Sequence, residues 1–174
     1  MSIEIGDKAP DFTLPTDGTG KVSLGKLRGQ TVVLYFYPKD DTSGCTAEAC
    51  GFRDSFPKFG KLAATVIGVS RDSVKAHDKF KKKYELPFIL ASDSEGKVCE
   101  SYGVWVEKSM YGRKYMGIER ATFLIDQERA ALDAHILAPV HALLDPDAVF
   151  LANVGARIGS EDERELVLFL ELVV

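Results

Sequence analysis

The 174-residue chain is poor in cysteine, histidine and tryptophan, with three, three and one respectively, and its longest apolar stretches are short. Each shortage excludes something. Cysteines at 45, 50 and 99 form an odd, sparse set, unlike the even framework that staples small secreted domains, so thiols in a reducing compartment are expected. The cysteines and His77, His135 and His141 show no paired short spacing of the kind zinc sites use, so neither a metal nor another cofactor is expected. The most apolar stretch, residues 166–174, contains Glu171 and falls well short of the roughly 18 residues that span a bilayer. Residues 1–8 carry acids where a signal peptide would carry a basic segment followed by an apolar one, so a cytoplasmic location without a membrane anchor is expected. Basic clusters are also missing: the net charge is −4 and the one lysine run, residues 81–83, is too short for a nucleic-acid footprint.

What is present fits one globular domain over residues 1–174, with 45% hydrophobic and 28% charged residues. Lys21-Val22-Ser23-Leu24 and Phe12-Thr13-Leu14 flank a glycine-containing turn and predict a hairpin. Thr31-Val32-Val33-Leu34-Tyr35-Phe36-Tyr37 is a continuous β-branched and aromatic run that predicts a strand covered on both faces, ending at Pro38. Residues 43–59 then read as helical, with Thr42 or Ser43 as the cap. A second strand is predicted at 65–70, a helix along Val74, His77, Phe80 and Tyr84, a strand at 88–91 and a short helix at 97–102. After a turn around Gly112 comes a buried strand at 121–125. Such alternation predicts an α/β three-layer sandwich with helices on both faces of a sheet. Residues 128–144 suit a helix kinked or divided at Pro139, and 166–173 suit either a helix or a strand.

Chemistry concentrates between Pro38 and Cys50. A thiol in the first turn of a helix, directly after a buried strand, meets unpaired N–H groups and the positive end of the helix dipole, both of which favour thiolate over thiol. Thr42 can place its hydroxyl beside that sulfur, and Pro38 stiffens the loop presenting both. A thiolate attacking a peroxide needs donors for the charge growing on the departing oxygen; the backbone N–H groups near Gly44, the Thr42 hydroxyl and Arg120 are the candidates. Glu48 suits either a first-turn acid or a partner that orients the arginine. The sulfenic acid so formed condenses with a second thiol that can reach it. Cys50 lies five positions on, where a helix points it about 140° away, so a Cys45–Cys50 bond requires the first turns to unwind. Cys99 reads as structural, and His77 and Trp105 as core or edge residues.

Pro38-x-x-x-Thr42-x-x-Cys45 resembles the active-site motif of peroxiredoxins of the AhpC/TSA superfamily, and the added Cys50 resembles their bacterioferritin comigratory protein, or peroxiredoxin Q, branch. The likeness runs from Gly6-Asp7-Lys8-Ala9-Pro10-Asp11-Phe12 through Ala49-Cys50-Gly51-Phe52-Arg53-Asp54 and Tyr102-Gly103-Val104-Trp105 to Arg120-Ala121-Thr122-Phe123-Leu124-Ile125-Asp126. It implies a thioredoxin-like fold with a central mixed sheet. It also implies a peroxidatic Cys45, a resolving Cys50, hydroperoxide substrates, and recycling by thioredoxin or a similar dithiol protein. Residues 127–174 depart from the family pattern: no glycine turn follows Asp126, and the segment is long. A monomer is expected, with the apolar end of that segment able to promote association.

Two other readings use the same thiols. A disulfide oxidoreductase of thioredoxin type would use Cys-x-x-Cys, whereas four residues separate Cys45 from Cys50 here. A redox sensor or holdase would use the same switch slowly, so turnover rate separates it from a peroxidase.

Overall fold

The structure, a computed structural model, describes residues 3, 7–27, 29–61, 63–110, 112–126 and 135–139. The strand predicted around Val33 is β3 (Thr31–Phe36), and its alternating side chains feed two separate cores. Val33, Tyr35 and, just beyond the strand, Tyr37 face one; Val32, Leu34 and Phe36 face the other. This period of two is the signature of a strand buried on both sides. Beside it run β4 (Ala64–Ser70) and then β5 (Ile89–Ser92), all parallel. On the other side β8 (Ala121–Asp126) is antiparallel to β3, and β9 (His135–Pro139) is antiparallel to β8, giving a mixed sheet in the order β5-β4-β3-β8-β9.

Helices α1 (Ser43–Lys61) and α2 (Val74–Tyr84) supply Cys45, Ala49, Phe52, Phe59 and Phe80 to the first core. The second face is covered by α3 (Lys97–Ser101), Tyr102 and the hairpin β1 (Thr13–Pro15) and β2 (Lys21–Ser23). These are the three layers expected from strand–helix alternation. A close approach ties β3 to β4: Tyr35 pairs with Gly68, and a Cβ on Gly68 would lie 2.6 Å from the Tyr35 ring. Only glycine there lets the aromatic ring lie flat across the neighbouring strand.

The structure adds one element and corrects another. Residues around Gly112 form a full hairpin, β6 (Trp105–Met110) with β7 (Arg113–Ile118), turning at Gly112 with φ 76°. The helix expected across 128–144 is replaced at its centre by strand β9, because the backbone groups along the open side of β8 are satisfied by an antiparallel partner. Pro139 sits at the end of that outer strand opposite Phe123, a position that tolerates the missing N–H. The expectation for 166–173 lies outside the described residues.

Candidate active site

Cys45 lies in the first turn of α1, just beyond the loop that leaves β3, and its side chain is only 1% exposed. The helix begins as Thr46 donates its N–H to the Thr42 carbonyl at 2.8 Å. Thr42 therefore starts the helix through its backbone, while its hydroxyl donates to the Lys39 carbonyl at 3.1 Å. The hydroxyl proton is thus committed to the loop rather than to the sulfur, which leaves the oxygen as an acceptor. Pro38 is exposed at the beginning of that loop and lines an open cleft of about 490 Å³ with Lys39, Arg71 and Trp105.

Sheet order brings in the charged partner. Because Phe36 pairs with Ala121, Arg120 stands just past the end of β3, where the chain swings toward α1. Its Nη2 donates to the Cys45 sulfur at 3.0 Å and its Nη1 to Glu48 Oε2 at 2.5 Å. Glu48, one turn beyond Cys45, is buried, so its acid complements the arginine rather than the helix dipole alone. Burial pushes the Glu48 carboxyl up to about 6, against the opposing pull of Arg120. Gly44 makes room for this arrangement, since a Cβ there would lie 2.9 Å from Arg120 Nη2. A cationic donor 3.0 Å from the sulfur, on a fork anchored by a carboxylate, is held ready for charge that develops on a reacting oxygen.

Cys50 lies in the same unbroken helix, half-buried, and all three cysteines are free thiols. Cys99 is buried in the second core with its N–H bonded to Asp93 at 2.8 Å. Burial, with a contribution from Asp93, pushes the Cys99 thiol far up, which keeps it neutral. Trp105 is partly buried against the same core, under the Arg71 guanidinium at 4.5 Å.

One group of residues escaped the sequence reading. Asp40, inside the motif, is buried; it accepts from Tyr37 Oη at 2.6 Å and from His77 Nδ1 at 2.8 Å. No local pattern around Asp40 and Asp41 marks either acid as buried, and nothing local links residue 40 to residue 77. Among the described residues no cluster of histidine, cysteine and acids could hold a metal, and no helix is long and apolar enough to cross a membrane.

Comparison with known proteins is consistent with this geometry. The AhpC/TSA family profile matches residues 5–131. Peroxiredoxin Bcp of Bacillus subtilis is 56% identical over 128 residues, which are 74% of this chain and 82% of that protein. Among solved structures, peroxidoxin BcpB from Mycobacterium tuberculosis superposes with a TM-score of 0.69 at 29% identity, covering 99% of each chain. The bacterioferritin comigratory protein of Xanthomonas campestris, solved in a study of its alkyl peroxide reduction activity, gives a TM-score of 0.67 at 38% identity, covering 88% of this chain and 96% of that one.

Proposed function

The chain belongs to the AhpC/TSA family, in its Bcp and peroxiredoxin Q branch with a thioredoxin-like fold, and is a thiol peroxidase; on that footing we propose that Cys45 reduces hydrogen peroxide and organic hydroperoxides and that Cys50 resolves the product. The supporting observation is the Arg120 fork, 3.0 Å from the Cys45 sulfur and anchored on Glu48. The Cys45 thiolate attacks one peroxide oxygen. The S–O bond forms as the O–O bond breaks, sulfur loses two electrons, and the departing oxygen takes the pair and a proton as water or alcohol. Arg120 and the N–H groups at the start of α1 carry the charge during that displacement. The Thr42 oxygen, its own proton bound to Lys39, accepts from the peroxide O–H and orients it.

The second step joins Cys50 to the sulfenic sulfur of Cys45: the S–S bond forms, the S–O bond breaks, and water leaves with the thiol proton. Both thiols sit in one intact helix, so its first turns unwind for this bond, which also exposes the disulfide to thioredoxin or a similar dithiol. The sparse, free cysteines suit a reducing compartment such as the cytoplasm. Burial of Cys45 argues against the disulfide-oxidoreductase alternative, whose sulfur has to meet the bulky disulfide of another protein.

Peptide mapping after one equivalent of peroxide tests the reading. A Cys45–Cys50 linked peptide is expected from the wild-type chain, and stoichiometric sulfenic acid at Cys45 from Cys50→Ser. Normal thioredoxin-driven cycling by Cys50→Ser would remove the resolving role, and turnover by Cys45→Ser would remove the nucleophile. Multiple rapid turnovers separate a peroxidase from a slow sensor.

A further inference from the structure

The loop that presents Thr42 and Cys45 is tied to α2 by two successive side chains. Asp40 is buried, and its carboxylate takes the Tyr37 hydroxyl at 2.6 Å and His77 Nδ1 at 2.8 Å. Its N–H donates to Asp72 Oδ2 at 2.8 Å, and that same oxygen accepts from Ser70 Oγ at 2.8 Å. Asp41 adopts φ 58°, a left-handed conformation that persists in a residue with a Cβ only when its surroundings hold it. What holds it is the far end of α2: Lys83 Nζ at 2.8 Å and Tyr84 Oη at 2.6 Å both donate to its carboxylate. Arg53 of α1 completes the connection by donating to the Tyr84 carbonyl at 3.0 Å.

His77 is 0% exposed, and its Nε2 has no hydrogen-bond partner among the described residues. A buried acid–histidine pair with an unsatisfied nitrogen is a poor source of stability, since apolar residues of similar volume commonly serve as well or better. Its location explains it better than its energy does. The pair spans the middle of α2 and the one loop that has to stay ordered for attack on peroxide and then loosen for Cys50.

We infer that α2 latches the active-site loop: His77, acting through Asp40, is a positioning residue that holds Thr42 and Cys45 in the peroxide-reactive arrangement, and its release accompanies the unwinding that lets Cys50 reach Cys45. The second half of this inference rests on the disulfide proposed above. Breaking the latch slows the first chemical step and speeds the second, whereas loss of a merely structural contact slows both or neither.

The test measures the two steps separately in single turnovers. In a Cys50→Ser background, sulfenic acid formation on Cys45 is expected to slow at least tenfold on adding His77→Leu. With Cys50 present, the closure step from sulfenic acid to disulfide is expected to quicken at least threefold in His77→Leu, with less irreversible overoxidation of Cys45 at high peroxide. His77→Asn, whose amide N–H can replace Nδ1–H toward Asp40, is expected to restore both rates. Should His77→Leu fail to fold, Lys83→Met with Tyr84→Phe frees Asp41 instead and is expected to move the same rates in the same opposite directions. Parallel slowing of both steps, or no change in either, overturns the latch. If mapping shows that Cys45 does not join Cys50, the resolving role fails by itself, while the first-step rate in the Cys50→Ser background still decides whether His77 positions the loop.

Discussion

Arg120 makes two contacts that a lysine cannot make together, because only the planar guanidinium reaches the Cys45 sulfur at 3.0 Å and Glu48 at 2.5 Å from one rigid fork. Arg120→Lys should therefore lower kcat/KM for hydrogen peroxide by roughly 10²-fold, in the range for loss of one preorganised donor, as read by stopped-flow peroxide consumption. Glu48 adds a pH dependence. Its carboxyl is raised by burial from an ordinary 4.5 to about 6, so acid protonates it and removes the ionised anchor of Arg120. Peroxide reactivity is expected to decline as pH falls through about 6, and this limb should vanish in Glu48→Gln, which should be slower at neutral pH. The stability effect has the opposite sign. Folding raises the proton affinity of Glu48, so its favourable contribution is complete below pH 4.5 and is lost as pH rises through about 6, a difference of about 2 kcal/mol. Glu48→Gln should thus be at least as stable as the parent at pH 7.5, by thermal melting, while being the poorer peroxidase.

At the level of elements, Gly68 sets how closely β3 and β4 approach. Gly68→Ala would place a methyl 2.6 Å from the Tyr35 ring across β3 and β4, and overpacking of this kind should cost about 1–3 kcal/mol in urea unfolding. Pairing it with Tyr35→Leu should recover part of that loss. The strands and helices from β3 to α3, and β8 after them, could be read from periodicity because each carries its own repeat, as in the unbroken β-branched run of β3. The β6–β7 hairpin could not, since its exposed residues, such as Tyr115 and Met116, give no inward-facing stripe to recognise. Strand β9 was hidden for a related reason: a short segment ending in proline becomes a strand only because β8 offers it an edge.

For the whole molecule, the proposed disulfide has a structural consequence. The first half of α1 places Cys45, Ala49 and Phe52 in the core between the sheet and α2, so unwinding it removes part of that core. Peroxide-oxidised wild-type protein should melt several degrees below the reduced form and lose helical circular dichroism, with both changes reversed by a dithiol. Oxidised Cys50→Ser should show neither.

That Cys45 follows a buried strand and a short loop at the start of a helix, and the strand–helix order from β3 to α3, were determined by the sequence alone, because propensity, capping and periodicity act within a few residues of one another. The tertiary structure alone decided that Arg120 meets Cys45, that Glu48 braces it and that Asp40 is buried against His77. Those contacts join residues far apart in the chain, and they exist only because β8 lies antiparallel beside β3 while α2 packs against the loop from β3 to α1.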